Sequence, residues 1–114
     1  MKFPAACLAL ALASPLMAEV VISEVMYHPP SHRADEEFIE LYNRGATSVS
    51  LANWSFTSGV NFTFPAGVTI AAGGRLVIAA DVAAFTAKYP TVTGVRGGWI
   101  GRLSNSANHI VLSD

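Results

Sequence analysis

A chain of 114 residues, 52% of them apolar, has room for one domain built on one core. Seven basic residues against eight acidic ones leave a formal net charge of −1, with no lysine or arginine cluster. That excludes the basic stripe a phosphate backbone requires, so nucleic acid is not an expected partner.

Met1 to Ala18, MKFPAACLALALASPLMA, has the layout of an export signal: Lys2 gives the positive start, Cys7 to Ala13 the apolar centre, and Ala18 a small residue at the end. Cleavage is expected after Ala18. The apolar run, interrupted by Pro4, Ser14 and Pro15, is shorter than the roughly 20 residues that cross a bilayer. No membrane contact is therefore expected once the signal is removed. Cys7 is the single cysteine, and it precedes most of the apolar centre, which argues against a lipid-modified cysteine. From Glu19 onward there is no disulfide, thiol nucleophile or cysteine-held metal. The remaining 96 residues carry six basic and eight acidic side chains, a net charge of −2. They can bury roughly 60–65% of their unfolded surface, enough for a core without staples.

The first element is a strand over Val20 to Tyr27, VVISEVMY, ended by His28-Pro29-Pro30-Ser31 because proline offers no ladder donor. EFIELYN follows as a second strand, with Glu37, Ile39 and Leu41 on one face and Phe38, Glu40 and Tyr42 on the other. Asn43-Arg44-Gly45 reads as a turn, because Asn and Gly tolerate positive φ. In TSVSL, Val49 and Leu51 face the core; Trp54 pairs with Phe56, and Phe62 with Phe64, on inward faces. Val68 and Ile70 follow the Pro65-Ala66-Gly67 turn, and after Gly73-Gly74 the run RLVIAA lacks alternation, as in a strand covered on both faces. DVAAFTAKYP predicts one short helix near residues 81–89, with Asp81 as N-cap, Phe85 and Tyr89 on one face, and Pro90 as the stop. Residues 91–106 read as a long loop, in which Trp99 is either a buried anchor or an exposed recognition aromatic. Ile110 to Leu112 is a final strand. Short strands separated by Gly, Pro and Asn, with no helix long enough for a parallel crossover, predict an all-β antiparallel sandwich.

The segment HPPSHRADEEFIE gathers the chain's candidate chemical groups. His28 and His32 are four apart, the spacing that sets two imidazoles on one helix face for zinc, but Pro29 and Pro30 exclude that helix. A loop gathering His28, His32, Asp35 and Glu37 has no H-E-x-x-H pattern behind it. Asp35, Glu36, Glu37 and Glu40 could offer oxygens to calcium, yet a strand sends Glu37 and Glu40 to opposite faces, and charges flanking an apolar strand serve solubility. Exchanging Glu36 and Glu37 for glutamine is accordingly expected to change stability by no more than about 0.5 kcal/mol. Glu24 and Glu40 sit in strands expected to be neighbours, and either one would need a partner such as Arg44 if it pointed inward. Ser55 or Ser104 with His109 lacks a G-x-S-x-G elbow. No catalytic, cofactor-binding or metal-ligating residue is assigned. The sequons at Asn53 and Asn61 matter only in a eukaryotic secretory pathway. Trp54 is expected in the core.

The order of motifs resembles the lamin tail domain family, in the type exported by bacteria. ISEVMYHPP is similar to its opening strand, EEFIELYNRGATSVSLANWSF to its glutamate-strand-turn-strand-Trp segment, FTFPAGVTIAAGG to its F-P-x-x-x-x-I-x-x-G pattern, and LSNSANHIVLSD to the stretch near its end. The resemblance implies an immunoglobulin-like sandwich without a catalytic centre of its own. It also implies a non-enzymatic interaction or scaffolding module, secreted or at the cell surface, within a larger exported protein. The alternative is the N-terminal accessory domain of a secreted hydrolase. A partner protein or cell surface is then expected, and no cofactor. Members usually continue past the IVLSD-like strand into another, so residues 19–114 are expected to be a truncated domain with an open sheet edge that favours self-association.

Overall fold

Alternation within FIELYN gives one strand two apolar faces, and the architecture is organised around it. In the computed structural model, which describes residues 19–27, 29–103 and 110–114, this strand is β2 (Phe38–Asn43), flanked by β1 (Val20–Met26) and β7 (Arg75–Ala79). The export signal over 1–18, His28, Ser104 and His109 lie outside the described residues. The second layer contains β3 (Val49–Ser50) paired with β6 (Thr69–Ile70), and β4 (Ser55–Ser58) held between β5 (Phe62–Thr63) and β9 (Val111–Ser113). Ile39, Leu41 and Ile78 from the first layer meet Leu51, Phe56, Phe64, Val68 and Ile70 from the second in one buried cluster. This is the predicted all-β sandwich, immunoglobulin-like in its packed sheets and mostly antiparallel.

The opposite face of β2 and β7 holds a second, smaller cluster of Phe38, Val77, Ala79 and Phe85, roofed by α1 (Val82–Lys88). This explains why RLVIAA does not alternate: Ile78 looks into the main core and Val77 and Ala79 look under the helix. The helix forms as its sequence predicts, with the Asp81 carboxylate accepting the Ala84 N–H at 2.9 Å and the Phe85 and Tyr89 rings tilted against each other at 4.8 Å between centroids.

One expectation is corrected. The sheets are not wholly antiparallel, because β8 (Arg96–Gly97) runs parallel to β7, with Ile78 opposite Arg96 and Ala79 opposite Gly97. Residues 80–95, α1 included, are long enough for the crossover, which needs about a dozen residues and not a long helix. Gly97 permits the approach, since a Cβ there would collide with the Ala79 carbonyl oxygen.

The turn after β2 also differs in its cause. Neither Asn43 nor Gly45 takes a positive φ. Instead Asn43 is fully buried, its Nδ2 donating to the Thr47 and Ile70 carbonyls at 2.8 and 2.9 Å while its Oδ1 accepts the Gly45 N–H at 2.9 Å. Its backbone N–H donates to the Gly74 carbonyl, and its own carbonyl accepts from Gly73. One residue thus ties β2 through its side chain to the turn before β3 and the end of β6, and through its backbone to the turn after β6.

The final strand is shifted by one residue from the expected Ile110–Leu112 and pairs with β4, Leu112 opposite Phe56. The tryptophans divide the core role. Trp99 is buried in the main cluster, while Trp54 is half-buried and packs against its edge.

Candidate functional site

The acidic segment singled out in the sequence begins in a tight loop. Pro29 is buried, its carbonyl accepts the His32 N–H at 2.8 Å, and a 3-10 turn over Ala34–Glu36 delivers the chain to β2. The carboxylates that follow do not converge. Asp35 is taken by Arg33, whose Nη2 and Nε reach its two oxygens at 2.6 and 3.1 Å. Glu36 accepts the Ser31 hydroxyl at 2.7 Å and the Lys88 ammonium at 2.8 Å, which ties the loop to the end of α1. Lys88 and then Ser31 hold this carboxyl below the usual carboxylate range. Glu40 accepts the Ser23 hydroxyl at 2.7 Å and lies 3.3 Å from Arg75 Nη1, and that guanidinium covers the Tyr42 ring at 4.2 Å.

Glu37 departs most from expectation. It is 3% exposed, at the head of the core-facing row that continues through Ile39 and Leu41. Its Oε1 accepts the Leu103 N–H at 2.9 Å, and its carbonyl accepts from Ala80. Burial pushes its carboxyl up, against the opposing pull of the Leu103 N–H and Arg102. The expectation that Glu36 and Glu37 are equally inert solvated positions is therefore corrected: only Glu36 reaches solvent. The signal was present in the alternation, which had already put Glu37 on the face of Ile39 and Leu41.

Glu37→Ala is expected to cost about 1–3 kcal/mol, because a buried N–H then has no acceptor. Glu37→Gln keeps an acceptor and discards a desolvated charge. The sign follows from the raised carboxyl: the stability it contributes is complete in acid, below its unfolded value, and is lost as pH rises through the higher folded value. Urea unfolding at pH 7 should find the glutamine variant at least as stable as the parent, with that advantage shrinking toward pH 4.

The remaining candidates stay apart. Glu24 is exposed, so it needs no buried partner. Ser55 is a strand residue opposite Thr63 and Ser113. Among the described residues, no three His, Cys, Asp or Glu side chains are grouped as a metal would need. An open groove of about 510 Å³ runs between the start of β1 and β9, floored by Trp54, Ile22 and Leu112 with Glu19 and Asp114 at its end. Both strands are at the edges of their described sheets.

A model of the Lamin Tail Domain family matches residues 14–114. No curated protein and no solved structure matches the chain.

Proposed function

The chain belongs to the lamin tail domain family, and from that membership we propose that it is an exported, non-catalytic interaction module that positions a larger protein on a protein or cell-surface partner. One observation carries the non-catalytic reading: each carboxylate from Asp35 to Glu40 is committed to a neighbour, Asp35 to Arg33, Glu36 to Lys88, Glu37 to the Leu103 amide and Glu40 to Arg75. A calcium site or a carboxylate-pair mechanism needs oxygens aimed at a shared point, and these are directed instead to neighbouring cations and one backbone amide. Export is supported by the sequence of Met1 to Ala18. The edges of β1 and β9, which pair with no further strand among the described residues, are the surfaces through which an extended segment or a second copy would be taken up.

The test is to express the chain from Met1 in a bacterium, fractionate the cells and sequence the N-terminus. A mature form starting at Glu19 outside the cytoplasm is expected, and labelled mature protein should bind cells of the source saturably, displaced by unlabelled protein. Retention of Met1 in the cytoplasm overturns export. Binding that never saturates overturns the surface partner.

A further inference from the structure

In an uninterrupted strand, Glu24 would share the inward parity of Val20 and Ile22. It does not, because the β1–β2 register shifts between Ile22 and Glu24, a bulge at Ser23 after which Val25 is the residue packed on the main core. The bulge turns Glu24 onto the outer face of the sheet, directly across from Glu40 on β2. Two carboxylates opposed on one face of an antiparallel pair repel each other. Arg75 neutralises Glu40 from one side at 3.3 Å, whereas Glu24 is in no ion pair among the described residues.

Beside this pair the sheet face and α1 border a shallow, open cleft of about 260 Å³. Glu24 and Glu40 line it together with apolar residues that include Met26, Phe38, Phe85 and Tyr89. The rings meet edge-on or tilted, Phe38 to Phe85 at 5.3 Å and Phe38 to Tyr89 at 6.0 Å between centroids, with Tyr89 half-buried and Val92 exposed at the rim. The space is below the roughly 300–1,000 Å³ of a site for a drug-sized ligand and suits one long side chain. Aromatic and aliphatic walls suit an apolar stem, and two opposed carboxylates, only one of them answered by the chain's own cation, suit a positive tip.

We propose that this cleft receives an arginine or lysine side chain from an exposed segment of a partner polypeptide, its stem along Phe85, Tyr89 and Val92 and its cation between Glu24 and Glu40. The inference rests on the interaction-module reading and gives that module a chemical preference, for basic segments. It also gives the Ser23 bulge a purpose beyond keeping a carboxylate out of the core.

The exported protein, labelled with nitrogen-15, is titrated with a blocked Gly-Arg-Gly peptide and with the same peptide carrying citrulline, which keeps shape and loses charge. Amide shifts are expected at Glu24, Glu40, Phe85 and Tyr89, with the citrulline peptide about tenfold weaker or more, as for loss of a charge-assisted contact. Glu24→Gln should weaken arginine binding by a similar factor while raising Tm, because it relieves the opposed charges. Asp35→Asn, a carboxylate away from the cleft, should leave binding unchanged. Arginine and citrulline peptides titrating alike, shifts confined to other residues, or a Glu24→Gln variant that binds as the parent would each overturn the proposal. Such a result would leave saturable cell binding untouched, so failure of this cleft is distinguishable from failure of the module reading.

Discussion

Phe64→Ala is expected to destabilise the domain by about 3–5 kcal/mol, a large share of the roughly 5–15 kcal/mol that holds a domain together. Phe64 has no exposed surface, and its ring packs edge-on to Phe62 at 5.0 Å and tilted against Phe56 at 5.9 Å. Its backbone is equally fixed, the N–H donating to the Trp54 carbonyl at 2.8 Å and the carbonyl accepting from Asn53. The site therefore has little freedom to collapse around a truncated side chain, which sets the cost toward the upper end. Phe64→Leu, which keeps most of the volume, should lose about 1–1.5 kcal/mol. Equilibrium urea unfolding of the three proteins checks both values. An alanine variant within about 1 kcal/mol of the parent would mean that the second layer is not packed on the first as described.

Asn43→Ala should rival that loss, at about 3–5 kcal/mol, with almost no apolar area removed. Truncation strands the Thr47 and Ile70 carbonyls and the Gly45 N–H together, at a residue with no exposed surface. Asn43→Asp is the sharper test. A carboxylate of the same shape sets acceptor against acceptor at both carbonyls and is buried as a charge, so it should be worse than alanine at neutral pH. It should recover part of the loss in acid, where the protonated group donates one hydrogen bond. Thermal melting across pH separates this from a cavity effect, which does not vary with pH.

The sequence disclosed whatever depended on period or on a local cap. The two faces of FIELYN, the unalternating RLVIAA and the Asp81 cap of α1 are each set by residues within one element, and each is found where predicted. What escaped depended on groups distant along the chain. Asn43 looked like a turn residue because turns are rich in Asn, but its role is fixed by the Ile70 carbonyl, 27 positions away. Glu37 has its acceptor duty defined by Leu103, 66 positions away. The Arg96–Gly97 strand has no apolar pattern, and only its placement beside β7 makes it a strand. The Ser23 bulge was hidden for a related reason: one small polar residue in an apolar run does not announce a change of parity. At the candidate site, alternation correctly separated Glu37 from Glu40, and the partners of each became visible only in three dimensions.

Because β2 has a strand on each side and an apolar cluster on each face, none of its backbone amides can reach solvent by fraying alone. Exposing them requires the loss of β1, which takes Val20 out of the main cluster, or of β7, which takes Ile78 from that cluster and Val77 and Ala79 from the smaller one. In hydrogen-exchange terms β2 is the last segment to open and reports the global unfolding free energy, while β8 and β9, short edge strands, open by local excursions. The domain therefore has one rigid spine, and the short edge strands β8 and β9 are free to move without unseating it.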